Sequence, residues 1–267
     1  MNSINLSPAS LAITSSLVLL CAALSLVLSL QIHRALLLAA ARMVVQLMLV
    51  GFVLRLIFER SSPWLTLLAA AAMATAATYE VGARQEYRLP GPWQLLTAGS
   101  AIVPSTLIVT VLALTTALRP TPWYDAREAL PLAGIVLGNV MNAISLSLNS
   151  VFGMVNRERT AIEARLALGD GRYTALQTVA VRAIRVALIP TINIMSAAGI
   201  VTLPGIMTGQ LLAGMDPIAA AKYQILLMFL IVGGNCLGAF AAVYVAIFRL
   251  TDERERLRAD RLRSRSR

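Results

Sequence analysis

A single histidine and two cysteines among 267 residues leave little from which to build a metal or catalytic centre. His33 falls in a loop, and Cys21 and Cys236 stand alone in separate apolar stretches. Neither a disulfide framework nor a Cys/His zinc pattern is supported. The serines of the apolar stretches have no histidine to activate them, so nothing resembles a Ser-His-Asp triad. No G-x-x-x-x-G-K-[ST] string occurs, which excludes a P-loop nucleotide site. The chain is therefore not expected to be an enzyme or to carry a cofactor, and any ATP-driven work requires a second polypeptide. Charge is scarce as well: 13% of residues, against 58% hydrophobic. Soluble domains carry about 25% charged residues. A soluble core cannot hide this much apolar surface, which leaves the bilayer as solvent.

A helix crosses the hydrocarbon core with about 20 mainly apolar residues. Six charge-free intervals meet that length. They run from the N-terminus to His33, and between Arg60 and Glu80, Arg88 and Arg119, Glu128 and Arg157, Arg185 and Asp216, and Lys222 and Arg249. A seventh, 35–58, is interrupted by Arg42 and Arg55 but is strongly apolar on either side of Arg42. The expected fold is an all-α polytopic transmembrane bundle of about seven helices. A transmembrane domain spans 1–250, and a basic cytoplasmic tail spans 251–267. The first stretch reads as a retained helix, because no basic residue precedes Arg34 and its apolar run is longer than a signal core.

Lys and Arg accumulate in cytoplasmic loops. One alternating set of connections holds Arg34, Arg84, Arg88, Arg157, Arg159, Arg165, Arg172, Arg182, Arg185 and the tail arginines. The other holds only Arg60, Arg119, Arg127 and Lys222. This places the N-terminus outside and the C-terminus inside, in a multi-pass protein of the inner (plasma) membrane. The net charge of +10 is thus mainly a topology signal, and no nucleic-acid partner is expected. The tail mixes Asp252, Glu253, Glu255 and Asp260 among its arginines and reads as a solvated helix or disordered end, in reach of anionic lipid.

The longest inside connection, 156–185, is amphipathic. Ile162, Leu166, Leu168, Leu176 and Val179 form its apolar set, and Gly169-Asp170-Gly171 interrupts it. It reads as a short helix, a glycine turn and a helix re-entering the membrane. Such a helix either docks in a groove on a soluble partner or lies on lipid.

Polar residues within the spans are the remaining signal. Asn139, Asn142, Ser145 and Asn149 recur at spacings of three and four, so they share one helix face. Asn193 and Ser196 lie in the next span. Polar groups at this depth face other helices or water, so they either bond helices together or line a path for a solute. A chelated metal or neutral solute suits such a path better than a bare hard cation, and no metal ligand can be named. Pro204-Gly205, followed by Met207, Thr208, Gly209 and Gln210, is expected to break the sixth helix near its outer end and to form a candidate gate. Arg42, near the cytoplasmic end of its span, is expected to snorkel, and Glu80 to pair with it or with Arg84.

Glu163-Ala164-Arg165 followed by Gly169 resembles the EAA-x-x-x-G motif of ABC-transporter permeases, with Arg165 in place of the second alanine. Further strings extend the likeness: Arg42 to Leu47, Pro131 to Asn139, Ile144-Ser145-Leu146, Leu188 to Asn193, Gly199-Ile200-Val201, Leu203-Pro204-Gly205-Ile206-Met207-Thr208-Gly209-Gln210 and Tyr223-Gln224-Ile225. Together they resemble the FetB (YbbM) permease family, similar also to the plant aluminium-sensitivity permease. The resemblance implies a permease subunit that exports metal, with iron proposed, and such a subunit is expected to work as a homodimer. It implies a separate FetA-like ABC ATPase that binds ATP-Mg and is engaged through Glu163, Ala164, Arg165 and Gly169. Two other readings are a secondary transporter and a non-transporting receptor or scaffold that signals through 156–185.

Overall fold

The computed structural model describes residues 8–60, 62–118, 120, 122 and 125–264. Arg119, Arg265 and Arg267, used above for topology, lie outside them. The helices are α1 (Pro8–Val27), α2 (His33–Arg60), α3 (Pro63–Arg84), α4 (Trp93–Ala113), α5 (Ala126–Arg157), α6 (Arg159–Ala167), α7 (Arg172–Ala175), α8 (Gln177–Ala197), α9 (Gly205–Leu212) and α10 (Pro217–Leu250). A π-helical turn, Leu114–Leu118, extends α4. Two short strands, β1 (Tyr87–Arg88) and β2 (Arg263–Ser264), pair antiparallel.

Six of these helices (α2, α3, α4 with its π turn, α5, α8 and α10) are long and apolar enough to cross a membrane. The 20-residue α1 is mainly apolar and uncharged, and at 1.5 Å per residue it reaches about 30 Å. The seven-helix polytopic reading is borne out in this form.

The chain divides into two compact units, Met1–Ser61 and Ser62–Arg267. In the first, α1 packs on α2. Buried Ser25 ties the connection, its Oγ accepting from the backbone N–H of Ile32 at 3.2 Å. Helix α2 runs unbroken through Arg42 and Arg55, and Arg55 pairs with Glu59 one turn on.

In the second unit α5 and α10 form the centre, with α3, α4 and α8 packed around them. Both central helices begin with an aspartate cap. Asp125 accepts from the N–H of Arg127, and Asp216 from that of Ala219, with Pro217 in the first turn. Their 32 and 34 residues correspond to roughly 50 Å each, well beyond a hydrocarbon core of about 30 Å. Their ends therefore stand out of the apolar layer. Gly234, Gly238, Ala242 and Ala246 recur every fourth residue on α10 and are buried. A Cβ added at Gly238 meets Val140 at 2.8 Å and Ile144 at 3.1 Å. The small stripe thus lets α10 lie directly on the Val136, Val140, Ile144 ridge of α5.

Two expectations are corrected. The tail is neither a solvated helix nor disordered through residue 264. Leu257 is 9% exposed, the N–H of Arg258 bonds the carbonyl of Leu250, and β2 pairs with β1. The tail folds back because its apolar Leu257 and Leu262 have a core edge to join and its acids have arginines to meet. The break after α8 also falls earlier than Pro204-Gly205. Helix α8 ends at Ala197, Gly199 takes φ +84°, and Pro204 caps the short α9 with Gly205 as its first residue. A left-handed glycine ends a helix readily, whereas proline is tolerated where a helix starts.

Candidate functional site

The 156–185 segment forms the expected hairpin. Helix α6 ends in a turn in which the N–H groups of Gly169 and Asp170 bond Leu166 and Arg165 carbonyls, with Gly169 at φ +97°. Arg165 pairs with Asp170 at 2.9 Å and also reaches the carbonyl of Ala175, which holds the hairpin closed. Glu158 at the start of the hairpin pairs with Arg182 of α8 at 3.1 Å. Ile162 is buried and Leu166 half-buried against the core. Leu168, expected on the same apolar face, is instead 88% exposed at the tip. Ala161 and Ala164 are exposed too. At spacings of three and four, Ala161, Ala164 and Leu168 form one small apolar ridge pointing away from the bundle. Glu163 pairs with Arg159 at 2.8 Å beside it.

The hairpin is tied to the tail. Glu255 accepts from both the backbone N–H (2.6 Å) and Nε (3.0 Å) of Arg172, and Arg172 Nη2 reaches the carbonyl of Asp252. Because β2 pairs with β1, the α3–α4 connection, the hairpin and the tail all sit at one end of this unit. Backbone N–H donation from Arg256, then the Arg256 guanidinium, holds the Asp252 carboxyl below the usual carboxylate range. That contribution to the clasp is present above the ordinary aspartate pKa and fades as pH falls through the lowered one.

The polar face of α5 is largely a helix-joining seam. Arg84 Nη1 donates to Asn142 at 3.2 Å, Gln85 Nε2 to the carbonyl of buried Ser145 at 3.3 Å, and the N–H of Glu86 to Asn149 at 3.0 Å. The end of α3 is thereby stitched to α5, and Arg84 also pairs with Glu80. Asn139 bonds the carbonyl of Ile135 in its own helix. On α8, Asn193 and Ser196 are exposed, and Ser196 bonds the carbonyl of Ile192. No described hydrogen bond joins them to the α5 face. In the candidate gate, Met207, Thr208 and Gln210 are half-buried and Gly205 and Gly209 exposed. Thr208 bonds the Pro204 carbonyl, and the buried Gln210 Oε1 has no described partner.

One polar pair escaped the sequence reading. Asn235 of α10, 2% exposed, donates to Thr191 Oγ1 of α8 at 2.7 Å, and its own Oδ1 has no described partner. Ala143, Ala187 and Ala239 pack together where α5, α8 and α10 meet. One turn along each helix lie Asn139, Thr191 and Asn235, a polar layer above an alanine layer. The signal was present in sequence: Asn235 sits inside Gly234-x-x-x-Gly238, where neighbouring backbones come close. Asn235→Ala is expected to lower stability by about 0.6–1.7 kcal/mol, read by thermal unfolding in detergent. Among the described residues no group of three or more His, Cys, Asp or Glu side chains converges as a metal-ligand set.

The model of the uncharacterised protein family UPF0014 matches residues 8–250. The chain belongs to this family. Among its UPF0014 relatives, the membrane protein slr1647 of Synechocystis is 38% identical over 213 residues, covering 79% of this chain and 80% of that one. The probable iron export permease protein FetB of Escherichia coli is 31% identical over 260 residues, covering 96% and 97%. Protein ALUMINUM SENSITIVE 3 of Arabidopsis thaliana is 29% identical over 229 residues, covering 85% and 81%. No solved structure matches the chain. UPF0014 membership, the six spans and the apolar α1 make this a multi-pass helical membrane protein, consistent with an inner-membrane location.

Proposed function

We propose that the chain is the permease subunit of an ABC transporter that exports metal, using ATP hydrolysed on a separate FetA-like subunit. The α6–α7 hairpin carries the reading: a short helix held rigidly at one end of the bundle, with Ala161, Ala164 and Leu168 exposed along one edge. The basic side of the charge pattern faces the cytoplasm, where an ATPase meets the hairpin. Glu163, Ala164, Arg165 and Gly169 form the coupling element. Arg165 and Gly169 shape the turn, while Glu163 and Ala164 meet the partner. The likeness to a FetB named as an iron export permease supports metal as cargo.

Movement of the hairpin reaches the spans through the Glu158–Arg182 pair to α8 and the direct continuation of α5 into α6. The path for cargo runs along Asn139 of α5 and Asn193 and Ser196 of α8, with the α9 segment (Pro204, Gly205, Met207, Thr208, Gly209, Gln210) as outer gate, while Asn142, Ser145 and Asn149 hold α3 on α5. Exposed Asn193 and Ser196 gain polar partners when two copies assemble as a homodimer.

The deciding experiment is co-expression with a FetA-like ATP-binding protein from the same organism, followed by co-purification and a metal-efflux assay in cells with and without the pair. Co-purification and metal-dependent ATPase stimulation are expected; a stable, ATPase-free permease that lowers no cellular metal overturns the reading. Glu163→Arg is expected to abolish most ATPase stimulation with little change in melting temperature. The exposed Arg159–Glu163 pair it removes is worth under about 1 kcal/mol. Unchanged stimulation removes Glu163 from the coupling element.

A further inference from the structure

We propose that the tail and the end of α10 form a binding site for a phosphate group, carried by an anionic membrane lipid. An open cavity of about 600 Å³ lies there, with Arg172, Arg249, Arg254, Arg256 and Arg261 in its lining beside Asp252 and Glu253. Two of the five arginines are already neutralised. Arg172 is held by Glu255, and Arg256 pairs with Asp252 at 2.8 Å. Among the described residues Arg249, Arg254 and Arg261 form no ion pair with a carboxylate, and Glu253 is exposed without one. Positive charge is therefore left over inside a concavity.

The surviving arginines are positioned. Arg249 stacks on the Trp93 ring with its guanidinium carbon 3.6 Å from the ring centroid. Stacking occupies the guanidinium face and leaves its N–H edge for a planar or tetrahedral anion. Arg261 is anchored by a hydrogen bond from Nη1 to the Arg249 carbonyl. Both residues line the cavity, and a guanidinium edge presents the bidentate donor geometry that phosphate accepts.

The surroundings favour a lipid as the carrier. Phe248, in the same lining, is 61% exposed. Tyr244 one turn away stacks obliquely on Tyr173, with ring centroids 5.6 Å apart, and both are exposed. Aromatic side chains concentrate at headgroup depth, and basic pockets at the cytoplasmic ends of spans bind anionic headgroups. The phosphate would enter between Arg249, Arg254 and Arg261, and the acyl chains would run along the exposed α10 face past Phe248 and Tyr244. Because the same tail segment clamps Arg172 at the head of the hairpin's return helix, an occupied pocket would brace the hairpin.

The full chain reconstituted in phosphatidylcholine nanodiscs, with and without phosphatidylglycerol, tests this. Lipid retained through purification is counted by mass spectrometry, and melting temperature is recorded in parallel. The wild-type chain is expected to retain phosphatidylglycerol and melt higher in its presence. The Arg249→Gln/Arg254→Gln chain is expected to retain about tenfold less, and Arg263→Gln, outside the pocket, to retain it normally. Arg254→Gln alone, an exposed side chain, serves if the double variant melts lower in pure phosphatidylcholine. Millimolar inorganic phosphate separates the sources: failure to displace the lipid supports a lipid site, while displacement with equal thermal protection overturns the lipid and leaves a soluble phosphate. No preference for phosphatidylglycerol, or undiminished retention by a variant of normal stability, overturns the site itself.

Discussion

Gly238→Val is expected to cost the chain most of its folded yield. The Cβ alone falls 2.8 Å from Val140 Cγ1 and 3.1 Å from Ile144 Cδ1. Both neighbours are fully buried and short, so neither can swing aside. The same face carries Gly234, where an added Cβ meets Val140 at 2.9 Å. Relief requires α10 to move off α5, which also loosens the packing of α4 and α8 on α10. Overpacking of this kind costs about 1–3 kcal/mol, and valine adds two methyl groups beyond the clashing carbon. The measurement is monodispersity on size exclusion and melting temperature in detergent. Val140→Ala in the same chain is expected to recover part of the loss, because it removes the methyl groups being struck; a purely additive double variant would show that the clash lies elsewhere. Gly233→Ala, where nothing lies within 4 Å of the added carbon, is expected to be nearly neutral.

The spans were legible because bilayer physics writes them in long uncharged runs, and even α2 formed through Arg42. The hairpin was legible for a local reason: Gly169 must take positive φ, and the apolar set on either side repeats with a helical period. What escaped the sequence depends on which face meets which neighbour. Asn142, Ser145 and Asn149 do share a face, but that face is occupied by residues 84–86, whose approach is set by the packing of α3 on α5. Asn235 carried no periodic partner on its own helix, since its partner Thr191 is 44 residues away. The folded tail escaped because its contacts, Arg172 with Glu255 and Arg88 with Arg263, join charged segments far apart in the chain. Charge composition alone describes such a segment as solvated.

If the proposed coupling to an ATPase holds, Leu168→Asp is expected to break it while leaving the chain itself as stable as before. The two halves of that outcome have separate physical sources. Leu168 is 88% exposed in the chain, so replacing it removes almost no packing within the permease, and surface changes of this sort stay within about 0.5 kcal/mol. In the proposed coupling the same side chain would be buried in an ATPase groove, and full burial of a leucine contributes about 1.5–3 kcal/mol. Its loss corresponds to roughly tenfold to hundredfold weaker association, and a carboxylate forced into an apolar groove weakens it further. Co-purification of the ATPase and metal-stimulated ATP hydrolysis are therefore expected to fall together, with the melting temperature of the isolated permease unchanged. Leu168→Met, which keeps the volume and apolar character, is expected to preserve both. A hairpin that merely rests on lipid gives a different pattern: Leu168→Asp would then leave ATPase association intact and reduce only partitioning of the hairpin onto vesicles. The exposed leucine beside a left-handed glycine thus makes the hairpin tip the point where docking on protein and resting on lipid give opposite results.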